Sequence, residues 1–139
     1  MNADKKISKA RTIARVVASM FYVGAGLMHF LRPAPYVKIM PPFLPWPLEL
    51  VYVSGAAEVA GGLGLLAPTL RRAAAWGLVA LLVAVFPANI YMALAQVQVT
   101  ANPAPGWLLW ARLPLQALLI WWVLWCTKPQ YSVVKEHFS

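Results

Sequence analysis

The chain contains four apolar runs, each about as long as a helix that crosses a membrane. A hydrocarbon core about 30 Å thick requires about 20 mainly apolar residues in helical form. Prolines and charged residues separate the runs, which cover about residues 12–31, 48–66, 73–97 and 107–127. This spacing predicts an all-α integral membrane protein, a four-helix bundle that forms a single domain over residues 1–139.

The composition also favours a membrane-embedded fold. Hydrophobic residues make up 61% of the 139 residues and charged residues only 12%, about half the roughly 25% of an ordinary globular protein. The single cysteine, Cys126, excludes an internal disulfide and a cysteine-based metal site, and no other metal site is predicted. The formal charge of +8 does not indicate nucleic-acid binding, because the basic residues lie at the ends of the apolar runs.

The basic residues flank the predicted spans unequally. Nine lie on one side, namely Lys5, Lys6, Lys9, Arg11, Arg15, Arg71, Arg72, Lys128 and Lys135. Only Arg32 and Lys38 lie on the other side. Positively charged loops resist translocation, so this count predicts that both termini are cytoplasmic.

The outer connection between the first two predicted spans, residues 32–48, is rich in proline. Its six prolines are Pro33, Pro35, Pro41, Pro42, Pro45 and Pro47. Proline lacks a backbone N–H, so most of this segment is expected to be neither helix nor paired strand. Its apolar side chains suit either a stiff lid over the mouth of the bundle or a rigid tether in the headgroup region; they are Tyr36, Ile39, Met40, Phe43, Leu44 and Trp46.

Polar side chains within the predicted spans are the main pointers to function. A charge at mid-bilayer costs about 2.5 to 3.5 kcal/mol even on the most lenient scales, so its presence requires compensation. We expect these side chains to converge in one polar pocket in the outer half of the membrane. The members of this predicted pocket are His29, Ser54, Glu58, Asn89, Arg112 and Gln116.

Glu58 and Arg112 are the predicted charged pair of this pocket. A guanidinium can hold a carboxylate through two parallel hydrogen bonds and stays ionised when it is desolvated. If the two do not pair, a protonated Glu58 could serve as a proton site. The structural alternative is an ion pair that only fixes helix packing, and for His29 it is a hydrogen bond at the membrane interface.

Two prolines within the spans add a second expectation. Pro87 and Pro114 should each release a carbonyl from the helical ladder, those of Val83 and Trp110. The freed carbonyls need donors, and the side chains of Asn89, Arg112 and Gln116 carry them. Asn89 and Gln116 therefore have a structural alternative as residues that join neighbouring helices.

Four sequence blocks follow one another between His29 and Trp122: HFLRPAPYVKIMPPFLP, SGAAEVAGGLGLLAP, RRAAAWGLVALLVAVFPANIYMA and RLPLQALLIWW. Together they resemble the successive blocks of the DoxX family of small bacterial four-helix membrane proteins. The resemblance implies a location in the bacterial inner membrane. The positions that it would carry over are His29, Pro42, Ser54, Gly55, Glu58, Pro87, Asn89, Arg112, Pro114 and Gln116.

The resemblance implies only a loose link to redox chemistry, through a membrane subunit of a thiosulfate:quinone oxidoreductase. The chain has no complete catalytic motif, so the sequence does not decide whether it is an enzyme. A redox role would need a partner subunit or a bound quinone. The favoured hypothesis is an accessory subunit that binds a quinone or another small amphiphile in the polar pocket.

Two alternatives stay open. One is a non-catalytic assembly or chaperone factor, and the other is a small carrier or proton pathway. The expected partners are the lipid bilayer, a membrane redox partner and a second copy of the chain; nucleic acid is not expected.

Overall fold

The computed structural model describes residues 3–97 and 105–129, and its regular secondary structure over these residues is entirely helical. The helices are α1 (Ala3–Leu31), α2 (Pro33–Lys38), α3 (Pro47–Gly64), α4 (Arg71–Leu94) and α5 (Gly106–Cys126). The all-α prediction is therefore confirmed. Lys135, one of the residues in the charge count, lies outside the described residues.

Among the described residues, three helical segments are long and apolar enough to cross a membrane: Lys5–Leu31, Arg71–Leu94 and Gly106–Cys126. These helices indicate a membrane protein whose surroundings are a lipid bilayer. The predicted span at residues 48–66 is less apolar than these three segments and is not among them. Its helix, α3, has 18 residues that include two glutamates and four glycines, and both residue types lower the mean hydropathy.

The four long helices pack against one another in a cycle. Helix α1 packs most extensively against α3 and also contacts α5, while α4 contacts both α3 and α5. The short helix α2 packs against α1 and α3. One buried cluster joins the four long helices near one end; it consists of Ala18, Tyr22, Leu65, Ala75, Leu78, Val123 and Cys126.

Apolar side chains also cover the outside of the helices. Met20, Val53, Val83 and Leu118 are all more than half exposed in the middle of their helices. Lipid tails are as apolar as these side chains, so a bilayer would surround them without cost.

Two glycines set the close approach of α1 to α3. A Cβ atom added at Gly55 would lie 2.6 Å from the Cβ of His29 and 2.9 Å from the carbonyl oxygen of Gly26. A Cβ atom added at Gly26 would lie 2.7 Å from the carbonyl oxygen of Gly55. The absence of side chains at these positions brings His29 of α1 next to α3.

The proline-rich connection contains more helix than the sequence predicts. Helix α2 forms over Pro33–Lys38, with proline in its first turn. Proline is tolerated there because the first N–H groups of a helix have no partner within the helix. Pro47 likewise begins α3, after Trp46 in the left-handed conformation at φ 49°.

Candidate ligand-binding cavity

A cavity of about 200 Å³ lies where all five helices come together. Seven of its lining residues are polar: Tyr22, His29, Tyr36, Ser54, Glu58, Asn89 and Arg112. The other seven are apolar: Ile39, Met40, Val51, Leu81, Leu82, Val85 and Ala88. A concave site with an apolar lining and a few convergent polar groups is typical of small-molecule binding.

The structure brings five of the six predicted pocket residues to this cavity. His29, Ser54, Glu58, Asn89 and Arg112 line it, whereas Gln116 does not. Whether these residues bind a ligand stays a prediction.

The carboxylate of Glu58 contacts His29 instead of Arg112. Its Oε2 lies 3.6 Å from Nδ1 of His29. Among the described residues, His29 is the basic side chain within ion-pair distance of Glu58. The predicted Glu58–Arg112 pair is therefore wrong. Arg112 is exposed while it lines the cavity, so its guanidinium lies at the cavity rim, where water or lipid headgroups can solvate it.

His29 is held in place by its own helix and by α2. Its Nδ1 donates a hydrogen bond to the carbonyl oxygen of Ala25 at 2.9 Å. Since Nδ1 carries the proton, Nε2 is the acceptor of the neutral ring. The imidazole also stacks on Tyr36, with 3.9 Å between ring centroids and 19° between ring planes.

Tyr36 contributes a phenol that stays neutral. Burial raises the pKa of Tyr36, and a negative charge on Glu58 acts in the same direction. The hydroxyl therefore remains a hydrogen-bond donor at physiological pH. With Ile39 and Met40, Tyr36 brings part of the proline-rich connection onto the cavity, whereas Phe43 and Trp46 remain exposed.

Tyr22 is a polar lining residue that the sequence does not place in the predicted pocket. Its side chain is 1% exposed, and its hydroxyl has no hydrogen-bond partner within the described part of the chain. Buried hydroxyls are almost always hydrogen-bonded. The sequence gives no signal for this, because a tyrosine on an apolar helix face normally belongs to the core.

Gln116 has a structural position between α4 and α5. Its side chain is 5% exposed; its Oε1 accepts a hydrogen bond from Nδ2 of Asn89 at 2.8 Å, and its Nε2 donates to the carbonyl oxygen of Leu82. The sequence predicts that Asn89, Arg112 and Gln116 supply donors for the carbonyls of Val83 and Trp110; Gln116 instead donates to the carbonyl of Leu82, one residue before Val83. Gln116 therefore joins the two helices that contain the prolines.

No group of three or more His, Cys, Asp or Glu side chains is arranged to hold a metal ion within residues 3–97 and 105–129.

In the comparison with protein families, residues 18–127 match a domain of unknown function, DUF8561. The chain belongs to this family. The match includes every residue that lines the cavity, so the cavity is built within the DUF8561 region. Comparisons with curated proteins and with solved structures found no match.

The DUF8561 match shows that the DoxX assignment is wrong. The blocks that carried the resemblance consist mainly of small and apolar residues with proline, which membrane helices in general use for close packing. The bacterial inner membrane, the redox partner and the link to a quinone oxidoreductase lose the support that the resemblance provided. The cost of polar groups in a membrane points to the same pocket residues without reference to any family.

Proposed function

We propose that this chain is a membrane-spanning four-helix bundle that binds a small amphiphilic molecule in its cavity. Helix α3 would be the fourth span, embedded because it packs against both α1 and α4. The unequal count of basic residues favours an orientation with both ends of the chain in the cytoplasm and the cavity in the outer half.

The buried hydroxyl of Tyr22 is the observation that carries the proposal. A buried polar group without a partner costs about 1 to 3 kcal/mol. Tyr22 lines the cavity, so a ligand oxygen in the cavity could accept its hydrogen bond. A cluster that served only helix packing would satisfy its own polar groups, as Gln116 and Asn89 do.

The cavity volume and lining define the chemical class of the ligand. An apolar cavity of about 150 Å³ is large enough for benzene, so about 200 Å³ accommodates one substituted six-membered ring. Tyr22 and Tyr36 offer hydroxyl donors, which suits a ring with oxygen substituents. A quinone head group belongs to this class, and its tail could leave through the cavity opening into lipid.

The carrier alternative is less well supported. Tyr22 belongs to a buried cluster whose other members include Leu65, Leu78 and Val123, and these three have apolar side chains. This apolar layer lies between the cavity and the opposite end of the helices, and it offers no hydrogen bonds to a polar solute.

The test compares Tyr22→Phe with the wild type and with Tyr52→Phe, which changes a tyrosine outside the cavity lining. The purified full chain in detergent is titrated with a short-tailed ubiquinone analogue and with an alkylbenzene of similar size, and binding is followed by tryptophan fluorescence. We expect Tyr22→Phe to weaken quinone binding about three- to tenfold and to leave alkylbenzene binding unchanged. The melting temperature without ligand should stay equal or rise, because an unpaired buried hydroxyl is removed.

Absence of binding by the wild type would contradict the proposal, as would equal effects of Tyr22→Phe and Tyr52→Phe. Mass spectrometry of molecules extracted from the purified protein provides an independent measurement. An oxygen-substituted ring compound should be retained by the wild type and depleted in Tyr22→Phe.

A further inference from the structure

A second cavity, of about 270 Å³, lies at the opposite end of the long helices. It is formed by the early part of α1, the start of α4 and the residues that follow α5. Five of its lining residues are basic: Arg11, Arg15, Arg71, Arg72 and Lys128. None of the described residues that line it is acidic. We propose that this cavity binds a phosphate group, carried either by an anionic membrane lipid or by free phosphate.

Two of the arginines are fixed by the ends of neighbouring helices. Nη1 of Arg15 donates to the carbonyl oxygen of Cys126 at 3.2 Å, and Nε of Arg71 donates to the carbonyl oxygen of Leu65 at 3.0 Å. A guanidinium has five N–H donors, so these bonds use only some of the donors of each arginine. The cavity is therefore lined by oriented guanidinium groups that retain donors for an anion.

Capping of helix ends explains only part of this cluster. Cations at carboxyl-terminal helix ends are favourable, which accounts for Arg15 and Arg71. It does not account for Arg11, whose Nε is buried without a hydrogen-bond partner among the described residues. The guanidinium of Arg11 lies over the ring of Trp125, 5.8 Å from the centroid, and this contact holds it beside the cavity that Arg11 lines.

The start of α4 adds positive charge to the same cavity. Arg71 and Arg72 occupy its first turn, and no side chain caps the helix at Leu70. The N-terminal end of a helix carries a partial positive charge and free N–H groups, and it normally favours acidic residues. Two arginines at this position are unfavourable alone and become favourable when an anion binds between them.

A phosphate group suits this arrangement better than a carboxylate does. Its several oxygens can accept bonds from guanidinium forks that approach from different helices. The exposed rings of Trp76 and Trp121 lie on the helices that reach this end, where aromatic residues mark the headgroup region of a bilayer. A lipid phosphate would meet the cavity at this depth.

The test uses two triple variants that remove the same charge. The cavity variant is Arg11→Gln/Arg72→Gln/Lys128→Gln, which spares the two arginines that contact carbonyls. The control is Lys5→Gln/Lys6→Gln/Lys9→Gln, three exposed lysines of α1 outside the cavity lining. The full chain in detergent is titrated with short-chain phosphatidylglycerol, short-chain phosphatidylcholine and inorganic phosphate, each at fixed ionic strength, and the melting temperature is recorded.

We expect phosphatidylglycerol to raise the melting temperature of the wild type and the control, and to bind the cavity variant at least about tenfold more weakly. A rise with phosphatidylglycerol alone assigns the site to an anionic lipid; a rise with inorganic phosphate as well assigns it to the free anion. Equal weakening of both triple variants would overturn the proposal, because it would show diffuse charge attraction, and so would the absence of any rise.

If the cavity variant does not fold, Arg72→Gln alone serves instead, with Lys9→Gln as its control. Tyr22→Phe should leave phosphatidylglycerol binding unchanged, so this site and the proposed amphiphile cavity can fail independently.

Discussion

Nδ1 of His29 lies 3.6 Å from Oε2 of Glu58, and this contact joins α1 to α3 at the wall of the cavity. The two side chains are 13% and 14% exposed, so neither is fully solvated. A carboxylate and an imidazole therefore face each other where α1 packs against α3.

The first prediction concerns this pair. A double-mutant cycle of His29→Gln and Glu58→Gln should give a coupling energy of about 0.5 to 3 kcal/mol, because the two side chains are in contact. The matched cycle of Arg112→Gln and Glu58→Gln should be additive to within about 0.5 kcal/mol. Both are measured as the free energy of unfolding in detergent micelles. A larger coupling of Glu58 with Arg112 than with His29 would contradict the contact described above.

The second prediction concerns the close approach of α1 and α3. Gly55→Ala places a methyl group 2.6 Å from the Cβ of His29, so the helices must separate, and stability should fall by about 1 to 3 kcal/mol. Gly24→Ala is the control, since a Cβ there meets nothing within 4 Å. That variant should be neutral or stabilising by up to about 1 kcal/mol. Thermal unfolding of both variants provides the measurement, and equal effects would argue against close packing at Gly55.

The polar pocket illustrates what the sequence could predict. The cost of polar groups in a membrane selected His29, Ser54, Glu58, Asn89 and Arg112, and the structure brings these five to one cavity. Helical periodicity tells which residues share a face of one helix, but it does not give the rotation and depth of one helix relative to the next. The partner of Glu58 was therefore predicted incorrectly.

The missed features depend on tertiary packing. Tyr22 reads as an ordinary core residue, and only the folded structure reveals that its hydroxyl is buried without a partner. The basic residues at the other end were interpreted from their positions along the chain, which predict orientation. Their convergence requires the ends of α1, α4 and α5 to meet, and this information is absent from a linear charge count.

The third prediction concerns Gln116, which joins α4 to α5. Gln116→Leu removes the bond to Asn89 and the bond to the Leu82 carbonyl, so stability should fall by about 1 to 2 kcal/mol. Ligand affinity should change less than about twofold, because Gln116 does not line the cavity. Gln96→Leu is the control, since Gln96 is exposed and its amide donates to the carbonyl of Ala93, three residues earlier in the chain. A loss of affinity without a loss of stability would instead make Gln116 part of the binding site.

The fourth prediction concerns the pH dependence of stability through Tyr36. Because burial raises the pKa of this phenol in the folded state, its contribution to stability is complete below the unfolded value of about 10. The contribution is lost as the pH rises through the folded value, where the buried hydroxyl must ionise. Melting temperatures recorded from about pH 8 to 11 should therefore fall more steeply for the wild type than for Tyr36→Phe. All other titratable groups are the same in both proteins, so the difference between the two curves reports on Tyr36. Parallel curves would show that its phenol is not buried against the stacked ring of His29.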